Sequence, residues 1–336
     1  MIFLPILLFF AACTKSDPNP GPGSTAPTNL TLNAVVSTDN SGNVSFTASA
    51  NNATTYEYNY GNGASQIVTS GSVIYKYPAS GSYTVTVSAR GASGQTISKS
   101  VQITVNVTQA LVWSEEFNIN GAPDATKWSY ELGAGGWGNA ELQNYTNRPE
   151  NSVVQGGVLQ IKAIKESLAG SPWTSARLVS RNKFEFKYGR VEVSAKVPAG
   201  VGTWPAIWML GDDISTVGWP ACGEIDIMEH LGRDLNKIYA TLHYPGRSGG
   251  NADGATKVIS NATTEFHKYS LDWSAVSIKI YVDDVLIHSI ANTNALPFNH
   301  EFFFILNIAM GGNFGGPIDP ALMSATMEVD YIRVYN

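Results

Sequence analysis

Gly223-Glu224-Ile225-Asp226-Ile227-Met228-Glu229-His230 is the stretch on which the fold turns. Carboxylates and large aliphatics alternate from 224 to 227, and alternation with period two marks a strand whose two faces meet different surroundings. On such a strand Glu224 and Asp226 share one face, while Ile225 and Ile227 enter an apolar layer on the other. A strand with a solvated outer face would carry Lys or Thr opposite those aliphatics. A calcium loop would show Gly, Asn and Asp on flexible backbone instead. Three acids within six residues, in a chain holding 27 Asp and Glu, therefore read as a chemical site.

Parity sets a condition on that site. Glu229 lies five positions after Glu224, so an unbroken strand sends it to the wrong face. One inserted residue, a β-bulge near Ile227–Met228, returns it to the face of Glu224 and Asp226. The two glutamates then stand roughly 13 Å apart at their Cα atoms. Leaning side chains, helped by concave curvature of the sheet, would bring the carboxyls to the ~5–5.5 Å used by retaining glycosidases. In that chemistry an ionised Glu224 attacks the anomeric carbon, and a protonated Glu229 donates to the leaving oxygen and later deprotonates water. Asp226 between them hydrogen-bonds Glu224 and helps raise the pKa of the acid through like charge.

Outward from this strand, the sequence is all-β. Residues 29–107 repeat short alternating runs, such as Val44, Phe46 and Ala48 or Val101, Ile103 and Val105, between turn signals at Asn62-Gly63, Ser80-Gly81 and Gly94. That predicts a small antiparallel sandwich. Residues 110–336 again read as strands between Gly, Pro and Asn turns, with a hairpin at Lys279–Val282, Asp283-Asp284 and Val285–Ser289. A run of this length fits one large sandwich. All eight tryptophans fall within it, from Trp113 to Trp273.

Composition narrows the partners. Only 14% of residues are charged and the net charge is −6, with no run of Lys or Arg. Phosphate neutralisation has no basis here, so nucleic acid is excluded as a partner. A neutral, hydroxyl-rich polymer suits a Trp-rich surface of low charge. The two cysteines, Cys13 and Cys222, supply neither a disulfide framework nor a zinc set. Cys13 follows an apolar run, Ile2 to Phe10, that is far short of the ~20 residues needed to span a bilayer. With Ala11 and Ala12 before it, residues 1–12 resemble a bacterial lipoprotein signal peptide in which Cys13 becomes the lipidated first residue. An ordinary secretory signal with an incidental cysteine is the alternative, and no Lys or Arg precedes the apolar run. Either way the reading is an exported monomer that meets a membrane only through a lipid anchor, periplasmic, at the cell surface or secreted. Residues 13–28, Pro-, Gly-, Ser- and Thr-rich after the cysteine, form a flexible tether.

Two resemblances add to this. YEYNYGNG (56–63) and YKYPASGSYTVTVSA (75–89) resemble the polycystic-kidney-disease (PKD) type of immunoglobulin-like domain, with Asn59 and Asn62 where that family usually carries Asp. The departure weakens metal binding there, and the lack of tryptophan favours a spacer over a sugar-binding module. GEIDIMEH, with Trp204-Pro-Ala-Ile-Trp-Met-Leu-Gly211 before it and Thr241-Leu-His-Tyr244 after it, is similar to glycoside hydrolase family 16. The likeness runs from VWSEEF (112–117) to the closing VDYIRVYN and is nearest the laminarinase-type endo-β-1,3-glucanases. It implies a concanavalin-like β-jelly roll with a concave, open cleft. It also implies Glu224 as nucleophile, Glu229 as acid/base, Asp226 as assisting carboxylate, and no catalytic cofactor. The six-residue Glu-to-Glu form matches the bulged branch of the family; a branch one residue shorter, including lichenases, lacks the bulge. A β-glucan is then the expected substrate. Mixed-linked β-1,3-1,4-glucan, a sulfated galactan, and a non-catalytic glycan-binding lipoprotein remain as alternatives.

Further residues belong to the expected cleft. Trp204 and Trp208, four apart, project to one side of a strand, and Trp219 adjoins a turn. Sugar stacking competes with plain core packing for these rings, most evenly at Trp208. His243 either bonds a sugar hydroxyl or a catalytic carboxylate, or is a satisfied core histidine. Trp137 and Asn139, on a Gly-rich loop, match by resemblance the loop lining the donor subsites. Arg177 matches a position facing the donor-side sugar, against the alternative of a surface charge. Glu116, Gly157 and Asp330 match positions that hold a structural calcium in many family members, partly through backbone carbonyls.

Overall fold

A computed structural model describes residues 26–336. The leader, Cys13 and nearly all of the tether lie outside the described residues. The chain divides after Thr108 into two compact units. Among the described residues the regular structure is strand, apart from two single-turn helices, Ile214–Val217 and Gly312–Gly315, and two 3-10 turns. The all-β expectation holds.

The first unit is a sandwich. Thr28–Val36, Asn43–Asn51 and Ser72–Lys76 form one antiparallel sheet, and Ser65–Val68, Ala53–Asn59, Gly81–Gly91 and Thr96–Val105 the other. Period two does the work here: Val85, Val87 and Ala89 are buried while Thr84, Thr86 and Ser88 point outward. Between the sheets lie Phe46 and a cluster of tyrosines, two of whose hydroxyls turn back onto the backbone. Tyr58 donates to the Gly71 carbonyl at 2.6 Å and Tyr77 to that of Tyr60 at 2.9 Å. Asn59 and Asn62 accept from the Gly61 and Ala64 amides, so both serve their own turn.

The second unit packs a ten-stranded sheet against a seven-stranded one. Spatially the latter runs Asp253–Val258, Lys237–His243, Glu224–His230, Thr203–Gly211, Phe302–Met310, Arg177–Val179 and Ser129–Tyr130. Its inner face (Ile207, Met209, Ile225, Ile238, Leu242, Phe304 and Leu306 among others) joins Leu159, Ile161, Val191, Val193 and Leu271 of the larger sheet in one core. At ~25 cal/mol per Å² of apolar surface removed from water, this layer dominates the stability of the unit. The FFFILNIAM strand, 302–310, is buried along its whole length, as expected of a central strand covered on both faces. The expected hairpin is present: Asp283 and Asp284 take φ of 48° and 62°, the left-handed pair a type I′ turn requires.

The bulge is where parity demanded it. Against Thr203–Gly211, Ile207 pairs with Met228 but Trp208 pairs with Asp226, leaving Ile227 as the extra residue. Against Lys237–His243 the same slip falls between Asp226 and Glu229. Ile227 and Met228 both enter the core, and Glu229 emerges on the face of Glu224 and Asp226.

Candidate active site

The outer face of the seven-stranded sheet gathers the acids. Asp226 and Glu229 are buried and Glu224 is half-buried. Burial raises the pKa of all three, and like charge adds to it at two: Asp226 and Glu229 act on Glu224, where His243 opposes them, and Glu229 acts on Asp226. Such a cluster retains protons at pH values where free carboxyls are ionised, which is the condition a general acid needs.

Two indoles orient the two glutamates. Trp219 Nε1 donates to Glu224 Oε2 at 2.8 Å, and Trp204 Nε1 to Glu229 Oε1 at 2.9 Å. An indole N–H only donates, so each bonded oxygen is an acceptor. Thr241 Oγ1 donates to the other oxygen, Oε2, at 3.1 Å; because a hydroxyl can turn to accept and an indole cannot, a proton on Glu229 belongs on Oε2. Trp204 is half-buried against Phe314, with ring centroids 5.4 Å apart, and Trp219 is 48% exposed.

His243 stands opposite the first two acids. Its Nε2 lies 3.2 Å from Asp226 Oδ2 and 3.7 Å from Glu224 Oε1. Its Nδ1 accepts the Gly249 amide at 3.1 Å, so Nδ1 is unprotonated and the ring proton faces the carboxylates. Of the two readings for His243, the carboxylate partner is the one the contacts favour.

Trp208, Arg177 and Trp137 form a second group on this side. The Arg177 guanidinium sits 4.8 Å from the Trp208 ring centroid and 5.0 Å from that of Trp137, and its Nε bonds Glu131 at 2.6 Å. Cation–π contact to two rings and an ion pair make Arg177 a built element rather than a loose surface charge. Trp208 donates to Asn307 Oδ1 at 2.8 Å while its ring also packs against the buried cluster of Val179, Leu210, Phe303 and Ile305. Trp137 holds φ at 49°, a conformation costing an L residue about 1–2 kcal/mol. Its indole bond to the Gly133 carbonyl at 3.1 Å helps hold it there. Asn139 lies on the same loop, its amide 3.2 Å from Glu141 Oε1.

Thr241, Asn307 and Glu141 escaped the sequence reading. Thr241 sits two residues before His243, on the same strand face, and Asn307 is the one polar side chain in FFFILNIAM; either spacing was a usable signal. Cys222 is a buried free thiol, pushed up to about 12 chiefly by burial.

The expected calcium residues meet elsewhere. Strand Ser324–Tyr335 pairs Ala195 with Val329 and Ser194 with Tyr331, so Asp330 is the residue of a bulge. The same strand reaches Leu159 at Val329 and Glu115 at Ile332, which brings Gly157 and Glu116 to that junction. The Glu116 carboxylate, however, takes both Arg333 donors at 2.9 and 2.8 Å. The Glu116 side chain is therefore already engaged by an ion pair.

An all-β unit that sets two buried acids, a half-buried third and two indole donors on the outer face of one sheet is the framework of a carbohydrate-cleaving hydrolase. Residues 139–333 match the family Glycosyl hydrolases family 16, and residues 25–107 match the PKD domain. A Beta-glucanase of Rhodothermus marinus is 44% identical over 67% of this chain and 84% of its own length. The crystal structure of the laminarinase from Rhodothermus marinus superposes with a TM-score of 0.66 at 44% identity, covering 68% of this chain and 98% of that one. The structure of LamA_E269S from Zobellia galactanivorans, in complex with laminaritriose and laminaritetraose, gives a TM-score of 0.63 at 43% identity over 68% of this chain and 99% of that one. The chain belongs to glycosyl hydrolase family 16, and a PKD domain precedes its catalytic unit. Members of that family need no cofactor for catalysis.

Proposed function

We propose that this protein is a retaining endo-hydrolase of β-1,3-linked glucan, acting by double displacement. One observation carries the reading: the bulge puts Glu224 and Glu229 on one face, each with one oxygen held by an indole. Trp219 holds Glu224 Oε2, and the carboxylate attacks the anomeric carbon as the bond to the leaving oxygen breaks. Glu229 gives its Oε2 proton to that oxygen. The resulting glycosyl-enzyme is resolved when Glu229 takes a proton from water and the water oxygen displaces Glu224. Asp226, flanked by the His243 N–H, keeps Glu224 oriented. Arg177, Trp137, Trp208 and Asn139 bind the donor side of the chain. The laminarinase relatives and a bound laminaritetraose in one of them support β-1,3-glucan as substrate. Incubation with laminarin, lichenan, agarose and carrageenan, followed by proton NMR, tests the reading. Laminarin should be cut fastest with the β-anomer appearing first; initial α-anomer would sink retention, and intact laminarin the substrate class.

The same reading extends to the periphery. The leader supports export of a monomer anchored to a bacterial membrane through a lipid on Cys13, with the PKD domain as spacer. A structural calcium ion at Asp330 and the carbonyls of Glu116 and Gly157 would tie three strand ends together. Ligand linkage predicts that millimolar calcium raises the melting temperature, by about 5 °C near 100-fold saturation. An unchanged melting curve after chelation would remove this site.

A further inference from the structure

We propose that Glu141, a buried carboxylate outside the catalytic trio, is a positioning residue that fixes Asn139 so that its side-chain oxygen, not its amide nitrogen, meets the donor-side sugar. The inference rests on the β-1,3-glucan reading and deepens it, because it names the polarity of one recognition contact.

Groups that can only donate fix the polarity of the network around Glu141. At one end, the Trp208 indole donates to Asn307 Oδ1 at 2.8 Å, which turns the Asn307 amide toward Tyr145. Asn307 Nδ2 donates to the Tyr145 oxygen at 2.9 Å, so the tyrosine proton is free to go to Glu141 Oε2 at 3.3 Å. At the other end, the Met310 backbone amide donates to Gln143 Oε1 at 2.8 Å. Gln143 must then present Nε2, which lies 2.6 Å from the same Glu141 oxygen. Two chains of fixed polarity thus converge on Oε2 as acceptor. The remaining oxygen, Oε1, faces Asn139 Nδ2 at 3.2 Å. With the amide nitrogen held by the carboxylate, Asn139 Oδ1 points away from it, and no side-chain hydrogen bond among the described residues ends on that oxygen. A lone acceptor at that place suits a sugar hydroxyl, which has a proton to give. It does not suit a sulfate ester, which has none. The same network ends on Trp208, whose ring packs on Arg177, so one buried acid sets both a polar and a stacking contact.

Glu141→Gln reverses this without changing shape. The Gln oxygen can still accept from Tyr145 and Gln143, but its amide group then faces Asn139, which must flip and offer a nitrogen to the sugar. The hydroxyl must then turn from donating to accepting and gives up the orientation its proton had, and losing one hydrogen bond in this way is worth about tenfold. For the full-length enzyme on laminaritetraose, Glu141→Gln is expected to raise KM about tenfold, well beyond any fall in kcat. Asn139→Ala should do the same, and the double variant should be no worse than Asn139→Ala alone, because one residue acts through the other. Isothermal titration of laminaritetraose into the Glu224→Gln background should show the same loss in affinity. Additive losses in the double variant, or a lower melting temperature with KM unmoved, would overturn the proposal. If Glu141→Gln does not fold, Glu141→Asp keeps the charge, withdraws it from Asn139 and is expected to show the same non-additivity. A wild-type enzyme that leaves laminaritetraose intact would instead refute the substrate reading.

Discussion

The two units use their aromatic residues in opposite ways. In the N-terminal sandwich the polar ends of the rings serve the scaffold: Tyr58, Tyr77 and Tyr83 donate to backbone carbonyls of their own domain, at 2.6, 2.9 and 2.8 Å. In the catalytic unit Trp219, Trp204 and Trp208 direct their N–H groups at Glu224, Glu229 and Asn307. Both patterns obey one rule, that a buried polar group needs a partner. What differs is whether the partner belongs to the backbone or to a side chain whose state matters. Aromatic content therefore does not distinguish a site from a core; for these three rings in each unit, the destination of the donor does.

This contrast can be broken in several places. The largest effect is expected at the carboxylates the indoles serve. Glu224→Gln should lower kcat by roughly four orders of magnitude or more; full activity in that variant would end the mechanism. Asp226→Asn should cost less, on the order of a hundredfold, and leave measurable turnover.

Next come the indoles themselves. Trp204→Phe removes a charge-assisted hydrogen bond and should cost about ten- to a hundredfold in kcat/KM. It also carries a sign. Glu229 acts while protonated, and the Trp204 bond favours its ionised form. Removing the bond raises the pKa further, so the alkaline limb of the kcat/KM profile should move to higher pH; a shift to lower pH would show that the bond does not act on Glu229.

Smallest are the stability effects, and they run in opposite directions in the two units. Tyr77→Phe in the sandwich should destabilise that unit by about 1 kcal/mol in calorimetry and leave laminarin cleavage untouched. Glu224→Gln should do the reverse. The folded pKa of Glu224 lies above its unfolded value, so the folded state holds the extra proton, and stability falls as pH rises through that window. Gln does not titrate, so the variant should melt higher than wild type at neutral pH, by about 2–4 °C, and no differently in acid. Equal melting at both pH values would mean that the acid cluster is not under electrostatic strain.

Much of this was legible beforehand because strands write their faces into the sequence. The odd spacing of Glu224 and Glu229 demanded a bulge, and the register supplies it at Ile227. Trp204, Trp208, Trp219, His243 and Arg177 all reach the outer face or its rim. What the sequence withheld were partners brought in from distant strands. Asn307 meets Tyr145 across 162 residues, and the Met310 amide meets Gln143 across 167; no local period encodes such meetings. Glu116 taught the complementary lesson, since a motif match cannot reveal that Arg333 has already taken its carboxylate.

The extra residue at Ile227 also acts as a phase shift along its strand. Before it, even-numbered residues face the cleft; after it, odd-numbered ones do. The distance between the two glutamates is thus a whole-number quantity that no side-chain substitution tunes. Deleting a single residue between Asp226 and Glu229 would bring every later position forward by one. With the bulge kept, His230 would take the place of Glu229, and Glu229 would turn into the core where Met228 had been. Drift by point mutation leaves the spacing intact, and only an insertion or deletion can change it.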